Sequence, residues 1–269
     1  MKEQATITAT EAQLKEVLDE TSVGYHEELY LNIDDDHVRL LGGAPDSSSG
    51  VYVDFVEAFV ESVEGGTEAY IDVAQFENYL SVLSSGPSTV LEITFRGTDN
   101  DRLANQVKIS PEDGSGEVSL MLKSGERVME SVPTALPKQF DQNNNFLHPV
   151  EDRPAKVHIE TYVDEIRRIV DAVNLQESLE YIPIVVKGQQ FILDVGDEND
   201  EHVSVSLKGD VSNEDDHDVD NVYGGSFEDV VKKLTGTMYV QVEDGAPVHL
   251  LQEKNHITIR HLIGTARAV

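Results

Sequence analysis

The 269-residue chain fits one large domain or two of ordinary size, and its 39% hydrophobic content is enough for a substantial core. Its 51 Asp and Glu against 20 Lys and Arg give a formal charge of −31, and the lack of cysteine excludes disulfides, thiolate metal sites and cysteine nucleophiles. No apolar run reaches the roughly 20 residues a membrane helix needs. The N-terminus, Met1-Lys2-Glu3-Gln4-Ala5-Thr6, lacks the basic-then-apolar pattern of a secretory signal, so the expectation is a soluble cytoplasmic protein with no membrane partner.

The first helix pattern runs from Thr10 to Glu20, with Leu14, Val17 and Leu18 on one face. Thr10 is in N-cap position and Gln13 in capping-box position. Strands follow at Leu29 to Ile33 and Val38 to Leu41, around the acidic turn Asp34-Asp35-Asp36, and at Gly50 to Phe55. A second helix spans Asp72 to Leu83, with Phe76, Tyr79, Leu80 and Leu83 on its apolar face and Ser84-Ser85-Gly86-Pro87 as its stop. Strands at Val90 to Phe95, Gln106 to Ser110 and Val118 to Leu122 complete the first half.

Residues 124–155 show no sustained period and contain Pro133, Pro137, Pro149 and Pro154. Their isolated hydrophobes include Met129, Val132, Phe140 and Phe146, and the segment reads as an extended linker. A third helix covers Thr161 to Asn174, with Ile166, Ile169, Val170 and Val173 in register. Strands at Ile182 to Val186 and Phe191 to Val195 flank a Lys187-Gly188 turn, and His202 to Lys208 follows. The fourth helix runs from Ser226 to Leu234, with Ser226 as cap, Gly236 as stop and Phe227, Val230, Val231 and Leu234 inward. Strands at Met238 to Val242, Val248 to Glu253 and Ile257 to Ile263 end the chain.

The helix centres fall near residues 15, 78, 168 and 230, about 63, 90 and 62 residues apart. That spacing is a duplication: two halves of equal layout, 1–123 and 156–269, joined by the linker 124–155. Each half reads helix, antiparallel strands, helix, antiparallel strands, an α+β class.

Several stretches within this layout carry a family likeness. They are Val51-Tyr52-Val53-Asp54-Phe55 after Asp46-Ser47-Ser48, and Tyr70-Ile71-Asp72-Val73-Ala74-Gln75-Phe76-Glu77-Asn78-Tyr79-Leu80. The others are Ser226-Phe227-Glu228-Asp229-Val230-Val231-Lys232-Lys233-Leu234 before Met238-Tyr239-Val240, and the closing pair Pro247 to Leu251 and Ile257 to Ile263. With the order of the four helices, they make the chain resemble the DNA sliding clamps of the proliferating cell nuclear antigen (PCNA) family. It departs from that family in Thr265, where a proline is usual, and in its longer linker.

The resemblance implies a duplicated sliding-clamp fold assembled as a homotrimeric ring around duplex DNA. Lys15, Arg167, Arg168, Lys232 and Lys233 would face phosphates from the helices, against the plainer reading of solvated helix faces. A partner-peptide groove would be walled by Leu41, Tyr52, Met129, Val132, Phe140, Leu262, Ile263 and Gly264, unless Leu41, Tyr52, Leu262 and Ile263 are ordinary core. Val118, Leu120 and Leu122 on one strand, and Val203, Val205 and Leu207 on another, would form the subunit interface by edge pairing. The implied partners are DNA polymerase, other proteins with a clamp-binding motif, and a clamp loader.

No catalytic constellation, Walker loop or dinucleotide fingerprint occurs, and the reading is a non-enzyme without cofactors or metals. Asp216, Asp218 and Asp220 invite a calcium loop, but Asn221 stands where that loop has glycine and Phe227 where it has glutamate. A solvated turn suits the segment better.

The acids interleave with strand patterns along the whole chain. Molar salt screens charge over roughly 3 Å and makes such a surface tolerable, which points to a halophilic archaeon or one of its viruses. Two alternatives stand beside the ring: a monomeric polymerase accessory subunit of the same fold, and an acidic DNA-mimic inhibitor.

Overall fold

The computed structural model describes residues 2–21, 28–34, 37–43, 49–98, 102–122, 154–174, 181–196, 202–213, 216–224, 226–254 and 256–266. Two compact units emerge, one from Met1–Pro45, Val51–Pro133 and Glu253–Ile259, the other from Asp46–Gly50, Thr134–Gln252 and Arg260–Val269.

The first half of the chain runs β1 (Lys2–Thr10), α1 (Glu11–Thr21), β2 (Glu28–Asp34), β3 (His37–Gly43), β4 (Ser49–Val56), β5 (Ser62–Gly65), β6 (Thr67–Asp72), α2 (Val73–Leu83), β7 (Val90–Gly97), β8 (Gln106–Pro111) and β9 (Val118–Met121). The second half repeats that order: β10 (Val157–Tyr162), α3 (Val163–Asn174), β11 (Tyr181–Lys187), β12 (Gln190–Gly196), β13 (His202–Ser206), β14 (Asp210–Asn213), β15 (Val219–Gly224), α4 (Ser226–Lys233), β16 (Thr237–Val242), β17 (Val248–Lys254) and β18 (Ile257–Ile263). The duplication read from helix spacing is thus present strand by strand.

In the first unit, the sheet β5-β1-β7-β8-β9 and the strands β4-β3-β2-β6 enclose one apolar core. Alternation along β1 sends Ala5, Ile7 and Ala9 inward, opposite Phe95, Ile93 and Leu91 of β7. The amphipathic face of α1 adds Leu14, Val17 and Leu18, and α2 adds Phe76 and Leu80. Thr10 caps α1 as a capping box: its hydroxyl accepts from the Gln13 amide at 3.3 Å, and its own amide donates to Gln13 Oε1 at 2.8 Å. Asp72 caps α2 through the Gln75 amide at 2.9 Å.

In the second unit the order is β14-β10-β16-β17 on one side and β13-β12-β11-β15 on the other. Val157 and Ile159 of β10, Ile166 and Val170 of α3, and Phe227 and Val230 of α4 are all buried. Tyr223 is fully buried and stacks on Phe227, with ring centroids 6.3 Å apart.

Both units satisfy the start of their first helix in one way. The Glu11 amide of α1 donates to the Thr89 carbonyl, beyond α2, and the Val163 amide of α3 donates to the Gly236 carbonyl, beyond α4, each at 2.9 Å. Each helix pair therefore packs side by side with fixed register.

Three boundaries differ from the sequence reading. The third helix starts at Val163, because Thr161 belongs to β10 and is paired with Met238 of β16. The acidic segment ends in a strand: β15 (Val219–Gly224) takes up its last two residues, with Val219, Asn221 and Tyr223 buried in alternation. His202 to Lys208 pairs only as far as Ser206.

Candidate functional site

The five helix-borne cations sit on the polar faces of α1, α3 and α4, and four of them have acidic neighbours on the same helix. Lys15 Nζ lies 2.6 Å from Glu11 Oε1, Arg168 lies 2.9 Å from Glu165, and Lys232 pairs with Glu228. The Glu11 carboxyl is held below the usual range, first by the Lys15 hydrogen bond and then by Ser84. Lys232 is held above its usual range, first by its bond to Glu228. The cations of these pairs are half-exposed, although Glu11 itself is buried, and each pair lowers the net positive charge its helix face can offer. Lys233 is exposed at the end of α4.

Arg167 is different. Its Nε donates to the Val231 carbonyl at 3.2 Å, and its Nη2 donates to Lys232 O at 3.0 Å and to Leu234 O. Its Nη1 reaches Asp164 at 3.3 Å. The sequence places Arg167 on a polar helix face, while the geometry points its guanidinium at the end of the neighbouring helix.

Sheet edges form the second candidate feature. β9 ends the first unit's five-stranded sheet, and β13 ends the second unit's four-stranded sheet. Val118–Met121 (VSLM) and His202–Ser206 (HVSVS) contain no Asp or Glu, in a chain with 51 of them. The opposite edges are blunted. β5 is four residues long and carries Glu64, and β15 is covered by the C-terminal segment through the Tyr223–Thr265 bridge and the bond from Ala266 N to Val222 O at 2.7 Å.

Side-chain directions on these edges refine the sequence reading. Leu120 and Leu122 pack partly buried against the first core, and Val118 shares their side of the strand. Leu207 is buried beyond the end of β13, Val205 is half-buried, and Val203 lies on β13. The outward groups are Ser119 and Met121, the latter 65% exposed, and Ser204. Apolar alternation marks the inward side of an edge strand and therefore does not single out Met121.

Of the groove residues, Leu41 and Tyr52 are buried in the first unit, where the Tyr52 hydroxyl donates to Asp54 Oδ2 at 3.3 Å. Leu262 and Ile263 are buried in the second unit, Ile263 fully, and Gly264 follows them half-buried. Met129, Val132 and Phe140 lie outside the described residues.

The acidic segment has a structural use that its composition does not reveal. Asn213 clasps the turn, donating to the Gly188 carbonyl at 2.7 Å and the His217 carbonyl at 2.8 Å, and accepting from the His217 amide at 2.7 Å. His217 Nε2 then lies 2.7 Å from Glu243, a buried carboxylate that also accepts from the Lys156 amide at 2.9 Å. Among the described residues, no group of three or more His, Asp or Glu side chains is arranged to hold a metal ion.

No protein-family model matches the chain, and no curated protein matches it in sequence. Solved structures do. PCNA of A. fulgidus, solved with the C-terminal region of FEN-1 bound, superposes with a TM-score of 0.73 at 10% identity, over 99% of this chain and 100% of that one. PCNA from Thermococcus kodakaraensis gives 0.70 at 16% identity, over 98% and 100%. Identities this low speak to fold alone, and they establish it: the chain has the duplicated α+β fold of the PCNA sliding clamps.

Proposed function

We propose that this protein is a DNA polymerase processivity clamp, a homotrimeric ring that encircles duplex DNA and tethers replication enzymes without doing chemistry itself. The observation that carries the reading is a pair of acid-free edge strands, β9 in one unit and β13 in the other, which have no further strand beside them among the described residues, on a fold matched to a clamp over 99% of the chain. In a chain of −31, an exposed strand without acids is a liability unless another strand covers it. Head-to-tail pairing of β9 with β13 of the next copy would cover both and close a ring by rotation. Domains 1–123 and 156–269 would be the two clamp domains, with 124–155 as the connecting strap.

A ring also accounts for the sparse cationic surface. Self-paired Lys15, Arg168 and Lys232 offer little phosphate affinity, and molar salt weakens what remains. Topological retention does not depend on that affinity. Partners would be duplex DNA, DNA polymerase and other clamp-binding proteins, a loader, and other copies of the chain. By analogy with the FEN-1 segment on A. fulgidus PCNA, partner segments would be short peptides. The surface charge fits a cytoplasm of high salt, as in a haloarchaeal cell or its virus.

The test is retention on DNA of two topologies. Protein loaded on nicked circular duplex should survive gel filtration in molar KCl and should be lost once the circle is cut. Equal retention on linear DNA with free ends would indicate affinity for a face of the protein, as in a monomeric accessory subunit, and would remove the ring.

A further inference from the structure

We propose that Arg167 is a positioning residue for the DNA-facing surface: it holds the last turn of α4, and with it Lys232 and Lys233, and does not contact DNA. The inference rests on the clamp reading and deepens it.

The last carbonyls of any helix lack partners within the helix. In α4 these include Val231 and Lys232, followed by Leu234 just before Gly236, whose φ of +82° ends the helix. Arg167 satisfies all three from one side chain, with Nε and Nη2 on the carbonyls while Nη1 meets Asp164. Such a set needs donors spread over a planar, rigid fork. A lysine ammonium, a point donor on a flexible stem, cannot span it. The positive guanidinium also faces the negative end of the α4 dipole. Its donors are directed at backbone oxygens and Asp164, which leaves it poorly placed to bind a phosphate.

The first unit ties its helix pair together with other chemistry. Glu11 of α1 reaches the C-cap of α2, accepting from the Ser84 hydroxyl at 2.5 Å, while its other oxygen holds Lys15. In each unit, then, the first helix fastens the C-terminal end of the second. Only in the second unit does that end carry two adjacent lysines. Fastening it restrains the backbone from which both project.

The experiment compares Arg167→Lys and Arg167→Gln in the full-length protein at high salt, after each is shown to keep the wild-type assembly mass. Amide hydrogen exchange at Leu234 and its neighbours, measured without DNA, should accelerate at least about tenfold in both variants. Affinity for duplex DNA should fall together in both, because the lysine variant keeps the charge and loses the fork. Wild-type exchange with affinity restored by lysine would overturn the proposal, since that pattern belongs to a direct phosphate contact. Unchanged exchange and unchanged affinity in both variants would overturn it as well. If the wild-type protein shows no measurable affinity for duplex DNA, the clamp reading is decided by retention on circular against linear DNA, and the exchange arm alone decides on Arg167, where wild-type exchange in both variants would overturn the proposal.

Discussion

Replacing His249 with glutamine should flatten the acid sensitivity of the second unit. His249 lies fully buried on β17, its Nδ1 2.7 Å from Gln241 Oε1, and Gln241 Nε2 lies 3.1 Å from His158 Nδ1. These three residues form a row across β17, β16 and β10. A side-chain amide has one accepting and one donating end, so Gln241 links the two rings through Oε1 toward His249 and Nε2 toward His158. Burial, then the nearby charges of Arg260, His261 and His158, hold His249 well below the usual histidine range of 6.5. The unfolded chain takes up a proton near pH 6.5 that the native state refuses. Stability contributed by His249 is therefore complete above that pH and lost on acidification, at no more than about 1.4 kcal/mol per pH unit. From pH 7 to pH 5 proton uptake by the unfolded chain limits the loss to at most about 2 kcal/mol. Urea unfolding in 2 M KCl at pH 7, 6 and 5, on the wild type and His249→Gln, isolates this effect because the carboxylates titrate alike in both. The wild type should lose more than the variant across that range, by up to about 2 kcal/mol. Parallel pH curves would refute the reasoning, for they would mean that native His249 protonates as readily as the unfolded one.

Three further outcomes are expected. Proline at Ser119 or Ser204 should remove a ladder donor from β9 or β13 and yield monomers of 29.7 kDa, as read by light scattering; native mass in both variants would move the interface elsewhere. Lowering KCl from 2 M to 0.1 M lengthens screening to about 10 Å and should lower the melting temperature by more than about 5 °C, and an unchanged value would remove salt adaptation as the reason for the charge. Ile263→Ala, at a fully buried position, should cost about 2–5 kcal/mol in unfolding free energy; a change below about 0.5 kcal/mol would make Ile263 a surface groove wall after all.

The helices and hairpins were legible because their periods are long and their punctuation is explicit. Thr10 with Gln13, Asp72 before α2, and Gly236 after α4 occupy the positions expected of them. The strands that escaped notice have weak or masked periods. β1 alternates small Ala and Thr around a single Ile7, and β15 buries Asn221 between Val219 and Tyr223 inside an acidic run. The cations were visible and so were their partners, since Glu11, Glu165 and Glu228 stand three or four residues away. Arg167 could not be read in this way, because its acceptors are carbonyls 64 to 67 residues distant. The His158–Gln241–His249 row was hidden for a similar reason: it exists only in the register of three strands, which no single-strand pattern records.

A closed ring requires β9 of one copy to meet β13 of the next. Light scattering coupled to gel filtration of the wild-type protein in 2 M KCl measures this most directly. A trimeric ring gives one species at three times 29.7 kDa, about 89 kDa, at all concentrations above the micromolar range. A single species at the monomer mass, under conditions where the protein is folded, would contradict it.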